Sequence, residues 1–223
     1  MAYHHGNLKQ ALVERAAEVI AERGIEALSL RGLARDLGVS HAAPSAHFAD
    51  RKALLCELAK EGFRRSVAAM EAGAEAAGPD PVARYRALGR AYVQFARDEP
   101  SYFRASNHPE VRAHDDDELR RARATFVGTL REGIEAAQAA GWHPEVGLET
   151  LLAFSCAAAM GVAEMLSDPT WSATFPTDDV DRLADDVLDL VVHRSRTSAL
   201  PALQDEDAAA PEDERSEDER KVS

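Results

Sequence analysis

The segment Leu28-Ser29-Leu30-Arg31-Gly32-Leu33-Ala34, followed by Leu37-Gly38-Val39-Ser40 and then His47-Phe48-Ala49-Asp50-Arg51-Lys52-Ala53-Leu54-Leu55, carries more structural information than any other part of this chain. Ser29 sits where a helix needs an N-cap, and Leu30, Leu33, Ala34 and Leu37 then recur at three- and four-residue spacing, which predicts a short helix over 30–37. Gly38 suits the left-handed turn that ends it. Ser40 is placed to cap a third helix. Asp50 is placed to cap a long fourth one, in which Leu54, Leu55, Leu58, Phe63 and Val67 keep helical spacing towards Ala77. A short helix, a glycine turn, a second short helix and a long one form a helix-turn-helix pattern. In that motif the second helix enters the major groove while flanking N-termini hold phosphates. A glycine turn also joins helices in plain bundles, so the pattern alone leaves both readings open.

Outward from this segment the chain reads as all-α, because no sustained period-two alternation appears. A first helix is expected over 8–23, with Asn7 as N-cap, Leu12, Ala16, Val19 and Ile20 as its inward stripe and Gly24 as its stop. Beyond the break at Gly78-Pro79-Asp80-Pro81, helices are expected at about 81–97, 100–106, 116–140, 145–166 and 178–196, parted by proline-containing junctions. From about Leu200 the composition becomes that of a disordered acidic tail.

The net charge of −13 argues against nucleic-acid binding only as a whole-chain sum. Residues 1–60 hold eight Lys/Arg against seven Asp/Glu, whereas residues 201–223 hold three against nine. A near-neutral head still presents local cations to phosphate. No apolar run approaches the ~18 residues of a membrane span, and Met1-Ala2-Tyr3-His4-His5-Gly6 lacks the features of a secretory signal, so a cytoplasmic protein is expected. Cys56 and Cys156 are then free thiols in apolar helical patterns.

The three quoted runs, in order and at their spacing, resemble the N-terminal signature of the TetR family of repressors over about the first 60 residues. Tyr3-His4-His5-Gly6-Asn7-Leu8 and Ser40-His41-Ala42-Ala43-Pro44 further resemble a subgroup whose C-terminal half carries a Trp and His-Gly pattern; Met160-Gly161 stands here where His-Gly is usual. The resemblance implies a DNA-binding domain at 1–52, a ligand-binding and dimerisation domain at 53–199 and the tail at 200–223. It puts Ser29, Arg31, Ser40, His47 and Arg51 near phosphates or the groove wall and His41, Ala42, Ala43, Pro44, Ser45 and Ala46 on the recognition helix. It implies a homodimer on double-stranded operator DNA, released by a small effector, with no cofactor.

Ser45-Ala46 depart from the aromatic and basic or polar pair usual before the His-Phe of the family. Pro44 removes the N–H that would bond back to the Ser40 carbonyl, so the recognition helix is expected to be short. With Ala42 and Ala43 unable to hydrogen-bond bases, selectivity falls to His41, Ser45, thymine-methyl contacts and DNA shape. Phe48 reads as core and His47 as facing DNA, while His4 and His5 read as a solvated terminus. The stretch from His108 to Asp117 has metal-ligand residue types, but consecutive carboxylates before a helical pattern are ordinary at a helix N-terminus, and no metal is expected.

Phe63, Tyr92, Phe95, Tyr102, Phe103, Phe126 and Phe154 lie on the helices that surround an effector cavity in the family and are the candidate ligand contacts. Ala153, Ala157 and Gly161 give the 145–166 helix a small-residue face that fits either a dimer seam with Val187, Leu188, Leu190 and Val191 or intramolecular packing. No Gly-x-Ser-x-Gly, phosphate loop, His-Glu-x-x-His or Rossmann fingerprint is present, so no catalytic set is named and an enzyme is not expected. The competing function is a helical ligand-binding or interaction protein of the same architecture that no longer binds a specific operator.

Overall fold

The computed structural model describes residues 8–114, 116–167 and 180–193, and these contain helices, turns and no strand. The chain runs α1 (Leu8–Arg23), a 3-10 turn (Ile25–Ala27), α2 (Leu30–Asp36), a second 3-10 turn (Pro44–Ala46), α3 (Arg51–Ala76), α4 (Pro81–Asp98), α5 (Pro100–Asn107), α6 (Pro109–Arg112), α7 (Asp117–Ala139), α8 (Leu148–Ser167) and α9 (Val180–His193). The turn at Ile25–Ala27 and the single turn of α6 were not legible as helix in the sequence. Asn7, His4, His5 and the acidic tail lie outside the described residues.

The N-terminal helices bury the stripe expected of them. Leu12, Ala16, Val19 and Ile20 of α1 close on Leu33 and Ala34 of α2, on Phe48, and on Leu54, Leu55 and Leu58 of α3. Ser29 Oγ accepts from the Gly32 N–H at 3.1 Å, and an Asp50 carboxylate oxygen accepts from the Ala53 N–H at 2.8 Å, so each cap satisfies a donor that the helix start leaves free. At the end of α2 the Val39 N–H reaches the Ala34 carbonyl at 3.0 Å and the Gly38 N–H reaches the Arg35 carbonyl at 3.2 Å. This double closure needs a left-handed residue, and Gly38 has φ +66°.

In the larger C-terminal part α4, α5 and α7 pack on α3, and α7, α8 and α9 pack on α4. This part meets the head along α1 and α5, where Ser101 Oγ donates to the Ala17 carbonyl at 2.6 Å. α8 is, among the described residues, the one helix long and apolar enough to cross a membrane, which corrects the expectation that none would be; a third of its apolar window is buried. That buried side packs on α4, α7 and α9, as in the core helix of a globular protein.

Candidate DNA-binding head and effector cavity

The recognition segment is not the helix that Ser40 was expected to cap. Residues 41–43 form a turn, and Pro44–Ala46 is a single 3-10 turn that begins at Ala43 without a side-chain cap. The physical reason is Pro44. An α-helix starting here would need the residue-44 N–H on the Ser40 carbonyl, and proline has none; that carbonyl takes the Ala43 N–H instead, at 3.0 Å. The tighter i to i+3 pattern then continues through Ser45 to Ala42, Ala46 to Ala43 and His47 to Pro44. Pro44 is buried, so it anchors the turn and does not face outward.

Ser29, Arg31, Ser40, His41, Ala42, Ser45 and His47 are all exposed on α2 and the segment that follows it, while Ala43 is half-buried. Arg35, which sequence reasoning passed over, belongs with them: its side chain is 71% exposed. The acid next to it is already occupied. Asp36 accepts from Arg15 at 3.0 and 3.1 Å and from Arg23 at 3.4 Å, and the Arg15 hydrogen bonds hold its carboxyl below the usual range. Arg51 is turned elsewhere. Its guanidinium donates to the Ile25 carbonyl at 3.0 Å, to Glu110 at 2.8 Å and to Glu26 at 3.4 Å, and so ties the head to the body in this structure.

A small cavity of about 40 Å³ lies between α3, α4, α7, α8 and α9. Its apolar walls come from Met70, Leu88, Phe126, Leu130, Met160 and Leu188, and its polar edges from Tyr85, Arg86, Tyr92, Ser155 and Cys156. Of the seven expected ligand contacts only Tyr92 and Phe126 line it. Phe63 packs against Phe126 at 5.8 Å without reaching the cavity; Phe95 is core; Tyr102 stacks under Arg65 at 4.1 Å; Phe103 is 1% exposed in the core. Phe154 points outward at 45% exposure. The family resemblance put all seven on helices around the cavity but could not say which neighbour each side chain meets. Tyr85, Arg86, Ser155, Cys156 and Met160 were missed because none stands out from its helix in sequence.

The cavity's hydroxyls are mostly spent on each other. Ser155 Oγ donates to the Leu151 carbonyl at 2.6 Å, so Tyr85 is the donor in the 2.5 Å Tyr85–Ser155 bond. Burial pushes the Tyr92 hydroxyl up to about 12 and raises the Tyr85 hydroxyl and the Cys156 thiol as well, so all three are neutral at physiological pH. Among the described lining residues Arg86 is the one charged side chain, and it is ion-paired with Asp189 of α9. The described residues contain no cluster of three or more His, Cys, Asp or Glu; His108 and Asp116 serve instead as N-caps of α6 and α7.

Residues 12–58 match the bacterial regulatory proteins of the tetR family, and residues 85–191 match the tetracyclin repressor-like C-terminal domain. The chain belongs to the TetR family of transcriptional regulators. A protein of unknown function from Rhodococcus sp. RHA1 is 34% identical, with 84% of this chain and 96% of that one covered at a TM-score of 0.71. A TetR-family regulatory protein from Rhodococcus RHA1 is 23% identical over 83% and 97% of the two chains, at 0.65. The TetR family regulator PfmR from Thermus thermophilus is 23% identical over 81% and 96%, at 0.58. No curated protein matches in sequence. As a TetR regulator the chain is a DNA-binding protein whose head is the helix-turn-helix described above.

Proposed function

We propose that this regulator is a cytoplasmic, homodimeric repressor, not an enzyme, and that a small effector, entering as the helices around the 40 Å³ cavity move apart, releases it from its operator. The head comprises residues 1–52 and the sensing and dimerising part residues 53–199. The observation that carries the reading is the exposed set on α2 and the following turn: Arg31 and Arg35 for phosphates, Ser29 and Ser40 beside helix and turn starts, and His41, Ser45 and His47 towards the groove. The nearby acids Asp36 and Glu26 are engaged by arginines and do not oppose phosphate freely.

Dimerisation is supported by a face that the single chain leaves open. Ala153, Phe154, Ala157 and Gly161 of α8 are exposed along one side of the helix, and Leu190 of α9 is 66% exposed. Small residues flanked by large apolar ones suit a two-fold helical seam. Two heads would then meet successive major grooves about one helical turn apart. Effector binding acts by favouring a dimer whose heads have a different separation.

The test is fluorescence anisotropy on DNA from upstream of the chain's own gene, against an unrelated duplex, across a salt series. Selective binding whose log affinity falls steeply with log salt supports the repressor. Equal, weak binding to every fragment of a genome-wide selection overturns it in favour of an architecture that has lost its operator, a reading that the single 3-10 turn of the recognition segment favours.

A further inference from the structure

Arg86 is the one charged side chain among the described residues that line the cavity. It stands on α4, one turn before Arg90, and the two arginines pair with Asp189 and Asp185 of α9. The Arg86 Nε–H is buried and has no hydrogen-bond partner, so the ion pair with Asp189 leaves part of the guanidinium fork unused. The remaining polar groups offer little to a ligand, because Tyr85 and Ser155 bond to each other and onward to a backbone carbonyl.

We propose that the effector is an apolar carboxylic acid, with its hydrocarbon body among Met70, Leu88, Phe126 and Leu130 and its carboxylate on Arg86 in place of Asp189. A planar guanidinium fork takes a carboxylate through two parallel hydrogen bonds, which would use the Nε–H as well. Charge selects the class further. A monoanion replaces the single charge of Asp189 one for one, whereas a cation meets Arg86 directly and a phosphate dianion brings a surplus charge into a low-dielectric site. The exchange also has a mechanical consequence: α9 loses its Arg86–Asp189 clamp to α4 while Arg90–Asp185 stays, and α9 carries the exposed Leu190 of the proposed dimer face.

This inference rests on the effector-release reading, and one experiment separates the two. The full-length protein is titrated by calorimetry with octanoate, decanoate and dodecanoate and with the alcohol and primary amine of each length, and each titration is repeated on the operator complex by anisotropy. Wild-type protein is expected to bind the acid at least about tenfold tighter than the matched alcohol. Arg86→Met combined with Asp189→Asn removes both charges of the pair at once; in it the acid-to-alcohol ratio falls to about one while alcohol affinity holds, which a general loss of folding would not produce. Asp189→Asn alone is expected to tighten acid binding, since the competing carboxylate is gone. Alcohol or amine binding as tight as acid in wild type, or a preference that survives the double substitution, overturns the proposal. An acid that binds with this selectivity yet leaves the operator complex intact upholds the ligand class and sinks effector release. Release by the alcohol with no preference for the acid does the reverse.

Discussion

Arg51 at the first turn of α3 donates to Glu110 of α6 at 2.8 Å, and this pair joins the DNA-binding head to the C-terminal helical body across 59 positions of sequence. The same guanidinium holds the Ile25 carbonyl at the base of the head. Arg51→Gln is therefore expected to cost about 1–2 kcal/mol of stability, because it gives up a bond to a half-buried carbonyl, whereas Glu110→Gln, at an exposed ion pair, should cost less than about 1 kcal/mol. The salt slope of DNA binding should stay unchanged in Arg51→Gln. A slope reduced by about one would return Arg51 to the phosphates.

Arg31 and His41 occupy the exposed side of the head. Arg31→Ala should weaken binding to operator and unrelated DNA alike and lower the salt slope by about one. His41→Ala should lower affinity for the operator more than for the unrelated duplex. The two slopes and the two selectivity ratios check this.

Glycines at helix interfaces divide by what surrounds them. A Cβ on Gly62 of α3 would lie 2.9 Å from the Tyr102 carbonyl oxygen of α5, a backbone atom that moves only with its helix. Gly62→Ala is expected to destabilise by about 1–3 kcal/mol in urea denaturation. Gly128 in the interior of α7 meets nothing within 4 Å, so Gly128→Ala should gain up to about 1 kcal/mol from helix propensity.

Tyr92 should make the body alkali-sensitive. Burial raises its hydroxyl from 10.0 to about 12, so the folded state favours the neutral phenol. Its contribution to stability is complete below pH 10 and is lost as pH rises through about 12. Denaturation midpoints measured across this window should fall in the wild type and fall less in Tyr92→Phe.

Phe154 and Ala157 lie exposed on α8. Ala157→Glu should convert a dimer into a monomer in sedimentation velocity with helical circular dichroism intact, and operator affinity should fall with it. A dimer that persists places the seam elsewhere.

The N-terminal half was legible from the chain itself because its determinants are local. Caps at Ser29 and Asp50, the left-handed Gly38 and the apolar spacing of α1 to α3 act within a few residues of where they stand, and each was found where the sequence put it. Pro44 was also read correctly as costing a helical bond, but its effect went further than the short capped helix expected: the missing N–H leaves a 3-10 turn there. The cavity was another matter. The resemblance placed Phe95, Phe103 and Phe126 on the helices around a cavity; which of them borders it depends on how α4, α7, α8 and α9 cross, and that is a property of long-range packing. Arg51 and Arg86 make the same point with charge. In sequence each is an ordinary helical arginine, and only the tertiary structure brings Glu110 to the one and Asp189 to the other, because partners 59 and 103 positions away leave no local trace.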